Sequence, residues 1–215
     1  MTDMTEKFAR VERNRESGGA RLVLHWFDFT CPFCYVGQHR TALLRRHGLD
    51  VVELPFQAHP EIPPEGVEVG PRKGAMYVVL AREAEEAGLT LNWPPRLPNS
   101  RLALTVAEWV RRNQPGAAIQ LNHDLFEAHF ALGEDLGDPS VIDRYASKFG
   151  VDLAALHAAL DDRSAAGFVA ESERMGRQAG VRGTPAWLVK GRLIEGLLPV
   201  AEFERIAEDA IGSGV

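Results

Sequence analysis

The chain has 215 residues, 45% of them apolar and 25% charged, with a formal net charge of −6 at pH 7. This length and composition fit one large globular domain, or one domain with an insertion, around a real core. The negative charge argues against nucleic acid as the main partner, because nucleic-acid binders need a basic surface. No run approaches the roughly 20 consecutive apolar residues of a membrane span.

The first segment, residues 1–20, is polar and mixed in charge, and we predict it to be a loosely held leader. It lacks the apolar stretch of a secretory signal. The expected compartment is therefore the cytoplasm, where a disulfide is usually transient and catalytic rather than structural.

The next elements alternate between strand and helix. Apolar runs predict a strand over residues 23–29 and a second strand over 51–56, with a helix from Pro32 to about His47 between them. Proline suits the first helical position, since it lacks the N–H that would have no partner there and already has a helical φ. The segment 59–71 is rich in proline and glycine, which marks a loop and a boundary.

Residues 71–180 are predicted to be helical, because apolar residues recur there at helical spacing. The expected helices cover 76–87, 102–110, 117–132, 139–149, 152–160 and 164–179. Two short apolar runs around Lys190-Gly191-Arg192 then predict a hairpin, and a last helix covers 199–211. This order predicts an α/β domain of residues 21–70 and 181–215, interrupted by an all-helical insertion over 71–180.

The chain contains two cysteines, Cys31 and Cys34, in the segment Cys-Pro-Phe-Cys between the first strand and the first helix. A disulfide across so short a loop stabilises little, roughly 2 kcal/mol by the loop-entropy estimate. A metal site that added His25 or His39 is disfavoured, because no second cysteine pair exists. No metal is therefore expected. The pattern favours a disulfide that is made and broken.

The position of the cysteines predicts their roles. The first turn of a helix has backbone N–H groups without intrahelical partners and carries partial positive charge. A thiolate of Cys31 faces those donors, so its pKa is expected to lie below the ordinary value. Cys34 is three residues further on, on the same face of that turn. We therefore predict that Cys31 is the nucleophile and Cys34 the resolving thiol.

Three segments resemble a known family. Residues 27–37, Phe-Asp-Phe-Thr-Cys-Pro-Phe-Cys-Tyr-Val-Gly, resemble the active-site segment of the DsbA-like thioredoxin superfamily, most closely its FrnE-type branch. Residues 180–187, Gly-Val-Arg-Gly-Thr-Pro-Ala-Trp, resemble the loop that carries that superfamily's cis-proline. Residues 126–138 resemble the helical insertion of the branch. The resemblance covers residues 21–213 and implies a thioredoxin fold interrupted by a helical insertion.

The resemblance also implies site residues around the cysteines. It places a cis peptide bond between Thr184 and Pro185 beside Cys31, with Thr184 backbone groups open to pairing with an extended substrate. Phe33, after Pro32, stands where the branch has tryptophan or histidine, and Thr184 stands where valine is common. These positions influence redox potential and substrate preference, so the direction of exchange and the client stay open.

Asp28 lies three residues before Cys31 and has two interpretations. Its carboxylate is placed to move protons during thiol exchange. The same carboxylate is equally placed to accept hydrogen bonds within the turn between strand and helix. The sequence does not decide between these roles.

The predicted function is thiol–disulfide exchange between the Cys31–Cys34 pair and protein or small-molecule thiols. The reaction needs no bound cofactor, and glutathione is a candidate reductant or substrate. The sequence leaves open whether the protein forms a homodimer. The alternative is a glutathione-dependent isomerase or transferase of the kappa-transferase or 2-hydroxychromene-2-carboxylate isomerase type, whose members commonly have serine at the position of Cys31. A third class, a redox-inert binding module, predicts that the two cysteines never form a bond.

Overall fold

The computed structural model describes residues 21–212, so the predicted leader, residues 1–20, lies outside the described residues. The strands are β1 (Leu22–Phe27), β2 (Asp50–Pro55), β3 (Val67–Glu68), β4 (Arg96–Leu97), β5 (Ala186–Val189) and β6 (Arg192–Glu195). The helices are α1 (Pro32–Arg46), α2 (Ala75–Glu86), α3 (Arg101–Asn113), α4 (Pro115–Phe130), α5 (Pro139–Lys148), α6 (Leu153–Asp161), α7 (Ala166–Gln178) and α8 (Val200–Gly212).

Four strands form one sheet in the order β2-β1-β5-β6. β1 and β2 are parallel and joined by α1, as parallel neighbours require a crossover connection. β5 pairs antiparallel with both β1 and β6, which confirms the predicted hairpin. The register sets Trp187 of β5 opposite His25 of β1. The residue before β5, Pro185, is therefore brought to the end of β1, where the cysteine segment begins.

Apolar side chains cover both faces of this sheet. α1 and α8 pack on one face, where Leu44 and Phe203 join Trp187 in a buried cluster. α7 packs on the other face, and its Gly176 allows a close approach. A Cβ atom at Gly176 would lie 3.0 Å from both the Trp26 indole nitrogen and the Phe56 ring, so a larger residue there would push the helix away from the sheet.

Six helices, α2 to α7, lie between β2 and β5, which confirms the predicted α/β fold with a helical insertion. Their core is continuous with the segment that carries the cysteines: Cys34 and Tyr35 share one buried cluster with Leu104 and Phe126. The insertion is therefore packed directly behind the first turn of α1.

The structure differs from the sequence prediction in one local feature. β3 and β4 form an additional two-stranded sheet, with Val67 opposite Leu97. Strands of two residues have no detectable period, so the pattern did not indicate them. At the start of α3, Asn99 accepts a hydrogen bond from the Arg101 N–H through its side chain, whereas Ser100, the N-cap residue, makes no side-chain cap bond. Among residues 21–212, no helix combines the length and apolar character needed to cross a bilayer.

Candidate functional site

The cysteine segment forms the turn from β1 into α1. Cys31 is the N-cap of α1 with an extended backbone, and Pro32 is the first helical residue. The Cys31 N–H donates to the Asp28 carbonyl at 3.1 Å, and the Cys34 N–H donates back to the Cys31 carbonyl at 3.0 Å. The predicted placement of Cys31 at a helix start is confirmed.

The two cysteines differ in access. Both carry free thiols. Cys31 keeps 9% of its surface exposed, whereas Cys34 is completely buried. An external sulfur atom can therefore reach Cys31 but not Cys34, which favours the predicted division into an attacking and a resolving thiol.

The electrostatics separate the two thiols further. The pKa of Cys31 is lowered from its ordinary value, chiefly by a hydrogen bond from the Cys34 thiol and, against the effect of burial, by Thr184 and the Cys34 N–H. Burial raises the pKa of Cys34 well above its ordinary value, and the neighbouring Cys31 raises it further. The expected direction for Cys31 is confirmed, although its main cause is the partner thiol rather than the helix amides.

The segment before β5 completes the site. The Thr184–Pro185 peptide bond is cis. The Cys31 thiol donates a hydrogen bond to the Thr184 carbonyl at 3.3 Å. Two stretches that are 153 residues apart in sequence therefore meet at the reactive sulfur. Pairing of Thr184 with an extended substrate stays a prediction.

The Thr184 side chain influences both cysteines. In the thiol form its buried oxygen has no hydrogen-bond partner among the described residues. It is nevertheless close enough to lower the pKa of each cysteine by donating to a thiolate. Because a buried polar group without a partner is unfavourable, this hydroxyl favours the state in which Cys31 is ionised.

Replacing Thr184 with valine is expected to raise the pKa of Cys31, since the isosteric side chain removes that donor. At neutral pH, alkylation of the reduced protein by iodoacetamide should slow by about fivefold, the worth of one hydrogen bond of about 1 kcal/mol. The rate should be followed against pH by mass spectrometry. Thr105→Val is the control, because its buried hydroxyl bonds the Arg101 carbonyl, away from the sulfurs. Equal rates in all three proteins would contradict the assignment.

Asp28 is completely buried beneath the cysteine turn. One carboxylate oxygen accepts from the Thr30 N–H and hydroxyl, each at 3.0 Å, and the other accepts from the Ala58 N–H at 2.7 Å. Ser100 donates a further side-chain bond. Burial raises the pKa of Asp28, and the hydrogen bonds oppose that shift. The carboxylate thus joins the turn to the loop after β2 and to the start of α3.

Aromatic side chains connect the cysteines to the insertion. Phe33 is partly buried against the same cluster as the cysteines. Tyr35 stacks on Phe130 with ring centroids 5.1 Å apart, and its hydroxyl donates to the Thr90 carbonyl at 2.8 Å. The partners of Tyr35 and Asp28 were not found from the sequence. They come from distant segments, and no local pattern indicates them.

Of the two histidines considered as metal ligands, His25 has other contacts, whereas the buried Nδ1 atom of His39 has no hydrogen-bond partner among the described residues. His25 stacks on Trp187 at 4.6 Å, with its Nδ1 atom 3.4 Å from the Thr41 hydroxyl. Within the described residues, the group with ligand atoms close enough to hold a metal ion is His123, Asp124 and Glu127 on α4. Asp124 is already bonded to the Lys148 ammonium at 2.5 Å, so we interpret the group as a surface contact.

Comparison with known proteins identifies relatives of this fold. The model of the DSBA-like thioredoxin domain family matches residues 22–207. A probable DsbA oxidoreductase from Streptomyces coelicolor, SCO1869, has a TM-score of 0.78 at 23% identity, covering 90% of this chain and 91% of that one. A 2-hydroxychromene-2-carboxylate isomerase has a TM-score of 0.71 at 21% identity, covering 89% and 95%.

A third similar structure is the cytosolic disulfide reductase DsbM from Pseudomonas aeruginosa with GSH. Its TM-score is 0.60 at 17% identity, covering 88% of this chain and 95% of that one. Identities this low establish a shared fold and no shared substrate.

Proposed function

Because the chain belongs to the DSBA-like thioredoxin domain family, we propose that it is a thiol–disulfide oxidoreductase of the FrnE type, acting through Cys31 and Cys34. The observation that carries this proposal is the asymmetry of the pair. An accessible thiol of lowered pKa lies beside a buried thiol of raised pKa. Nucleophilic exchange needs a thiolate at the point of attack. The protonated Cys34 thiol stabilises the Cys31 thiolate by donating a hydrogen bond to it.

In the oxidising direction, a substrate thiolate attacks the Cys31 sulfur and breaks the Cys31–Cys34 bond. The electron pair of that bond goes to Cys34, which takes up a proton in its buried site. A second substrate thiolate attacks the substrate sulfur of the mixed disulfide and releases the Cys31 thiolate. Two substrate thiols become one disulfide, and the enzyme disulfide becomes a dithiol.

In the reducing direction the same steps run backwards. The Cys31 thiolate attacks a substrate disulfide and expels one substrate thiolate. Cys34 then loses its proton and attacks the Cys31 sulfur, which expels the second substrate thiolate and restores the enzyme disulfide. The lowered pKa of Cys31 stabilises the reduced enzyme and so makes its disulfide more oxidising.

We further propose that the protein works in the cytoplasm and exchanges with glutathione. Support for this comes from the structural relative described as a cytosolic disulfide reductase with GSH. The disulfide itself carries the electrons, so the reaction requires a thiol pool to reset the pair and no bound redox cofactor.

A second candidate is a glutathione-dependent isomerase, favoured by the similarity to a 2-hydroxychromene-2-carboxylate isomerase. Such an enzyme activates the glutathione thiol and needs no internal disulfide. The two candidates therefore differ in whether a Cys31–Cys34 bond forms and breaks during turnover.

The first test is a redox titration of the Cys31–Cys34 pair in graded glutathione buffers, with thiol trapping by a mass tag. We expect a single two-electron transition at a potential above that of thioredoxin, about −270 mV, and toward that of DsbA, about −120 mV, because the Cys31 thiolate is stabilised. A pair that stays reduced at every glutathione ratio would overturn the exchange function and favour the isomerase.

A further inference from the structure

Arg72 differs from the other buried or half-buried arginines, because none of the described residues gives it a carboxylate partner. Seven arginines in the described residues are buried or half-buried. Six of them lie within 4.0 Å of a carboxylate, namely Arg40, Arg45, Arg96, Arg101, Arg111 and Arg112. Arg72, in the loop before α2, makes no ion pair with any described residue. Its guanidinium lies 5.6 Å from the centre of the Trp93 ring, and its buried Nε atom has no hydrogen-bond partner in the part of the chain that the structure describes.

The surroundings of Arg72 do not neutralise its charge. His129, near enough for the two groups to interact, is completely buried, and burial lowers its pKa to about 4. It is therefore neutral at pH 7, with an Nε2 atom that also lacks a partner. The Asp135 carboxylate, which raises the pKa of His129, forms an ion pair with Arg96 at 4.0 Å. A half-buried guanidinium favours a nearby anion, and none of the residues from 21 to 212 supplies one to Arg72.

The start of α2 adds to the positive potential at this place. Gly74 is the N-cap and provides no side-chain cap, and the first turn of the helix holds no acidic residue. The N–H groups of that turn are therefore open to an anion. Lys73 is exposed and has no ion pair within residues 21–212. In a protein with a net charge of −6, Arg72, Lys73 and this helix start together form a locally positive place.

Ring contacts connect this place to the cysteine end of α1. The Arg72 guanidinium lies 5.6 Å from the centre of the Trp93 ring, and the Trp93 and Phe130 ring centroids are 6.3 Å apart. Phe130 in turn stacks on Tyr35, with ring centroids 5.1 Å apart. Tyr35 lies in the first turn of α1, four residues after Cys31.

Arg72 is therefore linked to the first turn of α1 through two intervening rings. Each extended residue spans about 3.3–3.6 Å, so a short peptide covers a separation of this order.

We propose that Arg72 binds a carboxylate of a small thiol or disulfide substrate whose sulfur reacts at Cys31. This inference rests on the proposed exchange function and names its substrate class, a peptide-sized thiol that carries a carboxylate away from its sulfur. The carboxylate meets the Arg72 guanidinium, with Lys73 and the first-turn amides of α2 beside it. The chemistry is unchanged: one substrate disulfide accepts two electrons from the Cys31–Cys34 dithiol and leaves as two thiols.

The test compares a disulfide with and without free carboxylates. The second-order rate constant for oxidation of the reduced protein is measured in a single turnover, with glutathione disulfide and with the same disulfide after its carboxylates are ethyl-esterified. Arg72→Gln should lower this rate constant for glutathione disulfide by about tenfold, near the lower end of the range for hydrogen bonds to charged groups, and change that for the ester by less than about twofold. Arg72→Lys should restore part of the loss. Arg82→Gln, with the same change of charge on an exposed α2 residue paired with Glu86, should leave both rates unchanged.

Equal losses on both disulfides in Arg72→Gln, or no loss on either, would overturn the role of Arg72 while leaving exchange intact. Failure of the unmodified protein to reduce either disulfide would instead count against the proposed function. In that event, titration calorimetry with glutathione decides on Arg72 separately. Binding weakened by Arg72→Gln and not by Arg82→Gln supports the carboxylate site, and equal binding by all three proteins rejects it.

Discussion

Replacement of Cys31 by serine is expected to abolish disulfide exchange, with a fall in rate of about a thousandfold or more, the scale seen when a catalytic nucleophile is removed. A serine hydroxyl does not ionise near neutral pH and forms no disulfide. Cys34 cannot take over, because it is completely buried and its pKa is raised well above the ordinary value. Reduction of glutathione disulfide, followed by release of glutathione, measures the effect.

Cys34→Ser is the matched variant for this experiment. It keeps the accessible thiol and removes the resolving one, so a mixed disulfide between Cys31 and glutathione should accumulate and be visible by intact mass. If Cys34→Ser were the inactive variant and Cys31→Ser formed the mixed disulfide, the assigned roles would be reversed. Glutathione-dependent isomerase turnover that survives Cys31→Ser would favour the second candidate function.

Much of this site follows from short-range rules that a sequence displays directly. Proline at the first helical position and a cysteine just before it place a sulfur at a helix start, and that is where Cys31 lies. The strand, helix, strand order fixes a parallel pair with a crossover. The run of helices before the final hairpin then gives an insertion. These features depend on neighbours within a few residues, so the sequence alone predicts them.

Other features depend on segments that meet only in the folded chain. The bonds from Ala58 and Ser100 to Asp28 join three separate stretches, and no spacing predicts them. The missing carboxylate at Arg72 is also invisible in sequence, since it is the absence of a spatial neighbour within the described residues. The pKa difference between Cys31 and Cys34 arises mainly from burial and mutual hydrogen bonding. Sequence gives the direction for Cys31 through the helix start, but gives no reason for the strong rise at Cys34.

Replacement of Asp28 decides between the two roles that the sequence leaves open. Asp28→Ala leaves the buried Thr30 and Ala58 N–H groups without an acceptor, and each such loss costs roughly 1–3 kcal/mol. The free energy of unfolding should fall by about 3–5 kcal/mol in urea titrations. Asp28→Asn keeps one acceptor oxygen for Thr30 but turns an N–H₂ group toward the Ala58 N–H. It should cost about 1–2 kcal/mol.

The pH dependence of stability gives an independent check on Asp28→Asn. Burial raises the pKa of Asp28, so the folded protein holds this proton to a higher pH than the unfolded chain does. The contribution of Asp28 to stability is therefore present below the unfolded pKa and is lost as pH rises through the folded pKa. The asparagine side chain does not ionise, so the free energy of unfolding of the variant should not show this fall with rising pH. The difference in free energy of unfolding between the unmodified protein and the less stable variant should therefore be largest at acid pH.

The kinetic consequence of Asp28→Asn separates a structural from a proton-transfer role. The carboxylate raises the pKa of Cys31, so its removal should speed alkylation of Cys31 at neutral pH. Its oxygens already accept bonds from Thr30, Ala58 and Ser100, which fill the acceptor positions of the carboxylate and leave none for the buried Cys34 thiol. We therefore expect the resolving step, measured by rapid mixing, to change by less than about threefold. A slowing of about a hundredfold, the usual worth of a general base, would assign proton transfer to Asp28.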